Sequence, residues 1–251
     1  MKFYIIASGS RGNATLIKIK EHLILVDMGI TKKELVESLN KHGYTFNDIE
    51  AVFFTHEHAD HMKGREFFKD ISKVYASYGT TKVLESNELE AYKSYDIAGF
   101  KVTPVDASHD AYRPLGYIFE ADNEKLVYLT DTGYVIDETL ELSKDADYYI
   151  FESNHDVNML LRTNRPERLK QRILSDQGHL SNYDSAHYMT QLIGPNTKEI
   201  YLAHISLEAN TPELVIETYK KIFKKMRKNF DKYKIVCTKQ FEEVEGGNDE
   251  Y

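Results

Sequence analysis

The sequence predicts a mixed α and β protein, and three observations carry that reading. Short apolar runs recur along the chain, at residues 51–54, 125–130, 148–151 and 200–203, each ending abruptly in polar residues as a buried strand does. Between them lie stretches with apolar residues at helical spacing and recognisable caps. Residue types able to ligate a metal then gather where apolar runs stop: His56 and His58, Asp131, and His204. Sheets that collect polar groups at one end are how α/β proteins build sites.

Taken in order, the chain opens with strands at residues 3–7, 14–19 and 23–26, the first two joined by the Gly-rich turn Ser8-Gly9-Ser10-Arg11-Gly12-Asn13. That turn lacks the spacing and the terminal Lys-Ser/Thr of a phosphate-binding loop. Thr31 caps a helix to Leu39, with Glu34 completing a capping box. A strand leads to Thr55, and from Asp60 onward Met62, Phe67, Phe68 and Ile71 suggest a helix. Strands are expected at 73–77, 100–105, 116–120 and 125–130, with a helix at 80–86. Residues 148–151 form a buried strand ending at Glu152, and 182–192 a helix through Ala186, Met189 and Leu192. Thr211-Pro212-Glu213 starts a long helix toward Phe230, Thr suiting the cap and Pro the first turn.

Composition bounds the function. At 251 residues, 41% hydrophobic and 12% aromatic, the chain can build a core, which excludes a disordered protein. No apolar run approaches the roughly eighteen residues that cross a bilayer, and the N-terminus is too soon interrupted for a secretory signal. The lone Cys237, late in a strand-like run, excludes an internal disulfide, fits a reducing cytosol and reads as a small buried residue. A net charge of −8 argues against indiscriminate nucleic-acid binding, although part of it lies in the acidic end of the chain. With no repeat or linker visible, we expect one domain over residues 1–240 and a disordered acidic tail over 241–251.

The chemistry concentrates in Thr55-His56-Glu57-His58-Ala59-Asp60-His61. His56 and His58, two apart on an extended segment, project to the same side and can grip one ion. Asp60 and His61 follow the bend and can serve a neighbouring point. Three of the chain's ten histidines within six positions argue against a polar surface turn. This is a metal site.

These residues resemble the signature His-x-His-x-Asp-His of the metallo-β-lactamase-fold hydrolases, and the match continues through most of the chain. Asp27 in Leu25-Val26-Asp27-Met28-Gly29 resembles the family's upstream motif, and His109, Asp131 and His204 match its later ligand positions. The phrases Ala7-Ser8-Gly9-Ser10-Arg11-Gly12-Asn13, Phe151-Glu152-Ser153-Asn154-His155-Asp156 and Ser175-Asp176-Gln177-Gly178-His179 look typical of the YycJ/WalJ-like branch of small bacterial exonucleases. The resemblance implies a four-layer αββα sandwich. It implies that His56, His58 and His109 hold one divalent ion, Asp60, His61 and His204 a second, and Asp131 both, with Asp27 orienting a ligand imidazole from behind. Neutral nitrogens with shared oxygens suit Zn²⁺, while the carboxylates also suit Mn²⁺ or Fe²⁺. Asp60 would also stand among the catalytic groups, beside a metal-bridging hydroxide as nucleophile.

His155 and His179, both in polar loop contexts, are the candidates for contacting the scissile phosphate or protonating the leaving oxygen. Arg162, Arg165 and Arg168 form a basic run that could track a phosphate backbone. A second run, Lys220 to Lys228, reads as the solvated face of a helix. The expectation is a cytoplasmic, dinuclear phosphodiesterase acting on DNA, 5′-to-3′ by resemblance, with no membrane partner and an open oligomeric state. The alternative is a hydrolase of a small phosphodiester or thioester on the same metals.

Overall fold

A computed structural model describes residues 1–248. In chain order its elements are β1 (Lys2–Ala7), β2 (Ala14–Ile19), β3 (His22–Val26), α1 (Lys32–Lys41), β4 (Ile49–Phe53), α2 (Ala59–Met62), β5 (Val74–Ser77), α3 (Tyr78–Thr81), β6 (Asn87–Leu89), β7 (Tyr95–Ile97), β8 (Phe100–Asp106) and β9 (Leu115–Ala121). There follow β10 (Glu124–Leu129), α4 (Asp137–Leu142), β11 (Tyr148–Glu152), α5 (Val157–Arg162), α6 (Glu167–Leu174), α7 (Asn182–Leu192), β12 (Glu199–Ala203), α8 (Pro212–Lys225), β13 (Lys234–Cys237) and β14 (Val244–Gly247). Most strands fall where the apolar runs place them. The chain gathers into two compact units, the first made of residues 1–106, 111–124 and 238 onward, the second of 107–110 and 125–237.

In the first unit one sheet runs β14-β1-β2-β3-β4-β5-β6. Its antiparallel half is the opening meander, and its parallel half begins where β4 lies along β3 (Val26 beside Phe53). The strands are rich in Ile, Val and Leu and nearly all buried, as strands covered on both faces are. Helix α1 lays Leu35 and Leu39 onto a core that includes Leu16, Leu25, Val52 and Phe54. Its capping box forms as expected: Glu34 N–H donates to Thr31 Oγ1 (3.3 Å) and Thr31 N–H to Glu34 Oε2 (2.7 Å). The antiparallel run β7-β8-β9 meets the sheet through aromatic edges, Phe53 against Phe119 with centroids 5.4 Å apart. Tyr117 Oη donates to the Phe54 carbonyl (2.6 Å).

The second unit carries the parallel run β10-β11-β12-β13. β11 is buried at all five positions, which explains a strand sequence without alternation. Helices α7 and α8 pack together, with Tyr219 Oη 2.6 Å from Ser185 Oγ and Ile222 and Phe223 buried. On α8, Lys220, Lys221, Lys224 and Lys225 are exposed, so that basic run is the solvated face its spacing suggests. Cys237 ends β13, half-buried, its thiol pushed up to about 11 by burial.

Four expectations are corrected. After Asp60 the helix lasts one turn, because Gly64 interrupts it and the chain continues in short 3₁₀ turns at Arg65–Phe67 and Ile71–Lys73. The helix placed at 80–86 is the single turn α3, and the long helix from Pro212 stops at Lys225, before Arg227 with its positive φ of 57°. Residues 241–251 read as a frayed acidic tail, yet residues 244–247 form β14 along β1, Lys2 opposite Gly247 and Ile5 opposite Val244. The edge of β1 offers unpaired backbone groups that a short strand can take up. Glu243 anchors this segment, accepting hydrogen bonds from the Ser38 hydroxyl, Lys41 (2.7 Å) and His42 (2.7 Å). Residues 249–251 of that tail lie outside the described residues.

Candidate metal centre

In the first unit β3 and β4, parallel neighbours, end side by side and deliver Asp27 and the histidine motif together. Asp27 is fully buried and holds φ at +58°, a region a non-glycine residue enters at a cost of about 1–3 kcal/mol. Its Oδ1 accepts Thr55 N–H (2.8 Å), and its Oδ2 lies 2.7 Å from His61 Nδ1. Burial pushes the Asp27 carboxyl up, opposed by the His61 and Thr55 contacts. A carboxylate on Nδ1 fixes the ring and turns Nε2 toward a cation. His61 Nε2 lies 3.0 Å from Asn13 Nδ2 and 3.8 Å from Asp60 Oδ2. The rings of His56 and His58 (4.6 Å between centroids) and of His56 and His61 (4.1 Å) crowd together, with Thr55 Oγ1 3.0 Å from His56 Nδ1. Gly29 permits this packing: a Cβ there would sit 1.6 Å from the Asp60 carbonyl. The backbone straps Asn13 N–H to Asp60 O (2.8 Å) and Met28 N–H to His61 O (2.8 Å).

In the second unit the parallel strands end in Asp131, Glu152 and His204, after β10, at the end of β11 and after β12. Asp131 (φ +55°) and His204 (φ +56°) repeat the strained conformation of Asp27. One ligand atom from each of Asp131, Glu152, His179 and His204 lies within 4.8 Å of all the others. Glu152, fully buried, organises the group. Its Oε1 is 2.8 Å from His179 Nδ1 and 3.2 Å from His204 Nδ1, and its Oε2 accepts Thr132 N–H (2.9 Å). Burial would push the Glu152 carboxyl up, but His179 and His204 outweigh it and hold the carboxyl below its usual range. His204 Nε2 faces Asp131 Oδ1 at 3.5 Å, and Asn154 Nδ2 donates to the His204 carbonyl (2.8 Å). His109 donates from Nδ1 to the Gly178 carbonyl (3.0 Å), leaving Nε2 3.9 Å from Asp131 Oδ1. Burial pushes His109 down, toward the neutral form a ligand needs.

The sequence-derived residues thus fall into two sets. His56, His58, Asp60, His61 and Asp27 assemble in the first unit, and His109, Asp131, His179 and His204 in the second. His155 stands apart from the four-residue cluster. It is buried, neither ring nitrogen has a hydrogen-bond partner among the described residues, and it lines a cavity of about 280 Å³ with Ser181, Tyr183 and Lys221. Burial, then His179, pushes it down to about 4, so it is neutral. Arg162 and Arg168 are exposed on α5 and α6, while Arg165 is engaged by Glu208 (2.9 Å). Reasoning from sequence did not assign Glu152, Asn154, Asn13 or Thr55 a role. Glu152 carried a signal, being a carboxylate that ends a buried strand just as Asp131 follows one.

Comparison with known proteins agrees with this geometry. Residues 22–205 match the beta-lactamase superfamily domain. The exodeoxyribonuclease WalJ of Streptococcus pneumoniae serotype 2 (strain D39) is 37% identical over 230 residues, covering 85% of this chain and 84% of that protein. The exodeoxyribonuclease YycJ of Bacillus anthracis is 38% identical over 226 residues, covering 85% and 86%. Among solved structures, the metallo-β-lactamase-fold protein YhfI from Bacillus subtilis aligns with a TM-score of 0.73 over 98% of this chain and 99% of its own, at 15% identity. A diphosphatase of the PhnP family aligns at 0.66 over 98% of both chains, at 18% identity.

Proposed function

We propose that this chain, a metal-dependent hydrolase that belongs to the metallo-β-lactamase superfamily, is a DNA exonuclease working 5′-to-3′ on two divalent ions. The observation that carries the reading is the buried group Asp131, Glu152, His179 and His204, set in a chain over a third identical to two exodeoxyribonucleases. Within it the His204 ring, its Nδ1 3.2 Å from Glu152 Oε1 and its Nε2 3.5 Å from Asp131 Oδ1, offers a nitrogen and a carboxylate side by side, a pairing that fits a divalent cation. By the family resemblance His56, His58 and His109 would hold one ion, Asp60, His61 and His204 the other, and Asp131 both. The ions are Zn²⁺, Mn²⁺ or Fe²⁺ by donor type. When bound, such ions lower the pKa of a water to near neutrality and take up charge on a phosphoryl oxygen.

The protein's own groups do the rest. Asp27 and Glu152 keep the imidazoles of His61 and His204 aligned, so that little reorganisation is needed on reaction. His179, oriented by the Glu152 carboxylate 2.8 Å from its Nδ1, is the proton donor to the leaving oxygen. Arg162 and Arg168 are free to meet phosphates along the strand. No helix among the described residues is long and apolar enough to cross a membrane, and a DNA substrate goes with a cytoplasmic setting.

The test is hydrolysis by the metal-loaded protein of DNA labelled at either end, beside bis-p-nitrophenyl phosphate and a thioester. We expect release of the 5′ label first as mononucleotide. Asp131→Ala should abolish it, with metal content falling from two ions toward none by elemental analysis. Turnover of the small diester or the thioester without any cleavage of DNA would replace this reading with a small-molecule hydrolase.

A further inference from the structure

Beside the histidine motif of the first unit lies a group of exposed aromatic and cationic side chains that the metal chemistry does not use. Tyr78 and Tyr112 are 42% and 50% exposed, among the large apolar-faced side chains that the fold leaves in water. Their ring centroids are 6.2 Å apart and their planes tilted by 50°, so neither ring covers the other. The Lys82 ammonium lies 4.6 Å from the Tyr78 centroid and 4.4 Å from that of Tyr112, and the Arg113 guanidinium 5.7 Å from Tyr78.

This arrangement is fixed to the motif by backbone. Tyr112 N–H donates to Glu57 Oε1 (2.9 Å), the residue between His56 and His58, and Leu115 N–H donates to Thr55 O (2.9 Å). Helix α3 presses against Tyr112 so closely that a Cβ on Gly79 would lie 1.7 Å from its carbonyl oxygen, a contact only glycine allows. Arg113 holds φ at +57° between these two anchors. A surface loop of ordinary use needs none of this. The backbone conformation is constrained at the point where two phenol rings and two cations meet solvent.

We propose that Tyr78 and Tyr112, with Lys82 and Arg113, form a stacking platform for unpaired nucleobases of a DNA strand whose phosphates run toward the histidine motif. The proposal rests on the exonuclease reading and adds the form of the substrate: single-stranded, at the nucleotides beside the cleaved bond. Three features favour this occupant. Aromatic faces accept any base, which a sequence-indifferent trimming enzyme needs. The Lys82 ammonium and the Arg113 guanidinium supply the charge for adjacent phosphates in a chain of net charge −8, where no general positive field exists. A cation can hold only one face of a ring, and at 42% and 50% exposure Tyr78 and Tyr112 keep surface in water for a base.

The test compares two strands of equal length and charge, a phosphorothioate oligothymidylate and its abasic counterpart, both resistant to cleavage, binding to the metal-loaded wild-type protein by fluorescence anisotropy. We expect the base-bearing strand to bind about tenfold tighter or more, within the range expected for one or two stacked bases. Tyr78→Ala with Tyr112→Ala should erase that preference, and Tyr78→Phe with Tyr112→Phe should keep it, which separates stacking from a folding defect. Lys82→Gln should weaken both strands alike and flatten the salt dependence. Equal affinity of the wild type for the two strands overturns the platform, as does an alanine pair that folds and keeps the preference. In the first case the aromatics would be read as a protein-docking surface. Either failure is distinguishable from failure of the exonuclease reading, in which no cleavable DNA is hydrolysed at all.

Discussion

The two units build their ligand supports in different ways. In the first, Asp27 holds a single imidazole, His61, from inside one compact piece of sequence: the whole arrangement spans residues 27–61, and its histidines sit within six positions. In the second, Glu152 serves two imidazoles at once, His179 and His204, which reach it from 27 and 52 residues away. One carboxylate per ring is a local solution, whereas one carboxylate for two rings needs a strand end and a loop that only the folded chain brings together. Because β11 lies between β10 and β12, Glu152 at its end meets Thr132 N–H after β10 and His204 after β12, while His179 reaches it from the loop before α7. The shared carboxylate should therefore be the more consequential of the two, and one of the rings it orients need not be a ligand.

The largest effect is expected from His179→Ala. If Glu152 holds His204 for a metal and His179 for proton transfer, this variant should keep its metal complement and lose about 10²–10⁴-fold in turnover, the usual contribution of a general acid. Its rate should also become more sensitive to leaving-group acidity, recovering on a substrate with a good leaving group that needs no proton. Elemental analysis beside kcat decides it. Loss of metal with activity would make His179 a ligand, as its place within 4.8 Å of Asp131, Glu152 and His204 also allows.

Much of this was legible in the sequence, for a physical reason. A strand's apolar run, its abrupt end and the ligand that follows are adjacent in the chain, so His56, His58, Asp131 and His204 could be placed on strand ends from periodicity alone. The αββα fold was legible only through resemblance, since periodicity gives mixed α and β without layers. Glu152 was placed at a strand end but given no work, because its partners, Thr132, His179 and His204, come together only in the folded chain. Residue 152 looks like any carboxylate closing a strand until β10 and β12 are known to flank it. Asn13 beside the His61 ring and Asn154 beside His204 escaped for the same reason. The tail was misjudged because its acidic composition suggests solvation, whereas its pairing with β1 depends on a free sheet edge at the other end of the sequence.

A smaller effect sharpens the difference between the two carboxylates. Removing a group that orients a metal ligand costs about 10–100-fold in metal affinity or activity. Glu152→Gln should fall at the upper end, since two rings lose their anchor, and Asp27→Asn at the lower end, since Thr55 Oγ1 lies 3.1 Å from His61 Nδ1 and can still steady that ring. Competition against a chelator of known affinity, on both variants, reads the ratio directly. Equal losses would show that the number of rings held is not what matters.

The smallest expected effect concerns a third carboxylate, Glu243, which does for the chain end what the other two do for imidazoles. Burial raises its pKa, but hydrogen bonds from Lys41, Ser38 and His42 lower it further, so the folded value lies below the ordinary one. The sign follows from that direction. A carboxyl bound more tightly as its anion contributes stability above its unfolded pKa of about 4.3, and that contribution is lost as pH falls through the lower folded value. Because water reaches the pair, the contribution is about 1 kcal/mol or less. Glu243→Gln should therefore lower the unfolding temperature slightly at pH 7 and speed amide exchange along β14, from Val244 to Gly247, with little change elsewhere. The gap between variant and wild type should narrow as pH is taken below 4, both proteins being kept metal-free so that the ligand histidines do not intervene. A gap that stays constant from pH 7 to pH 3 would mean that Glu243 holds the strand by shape and hydrogen bonding alone, without the charge that separates it from glutamine.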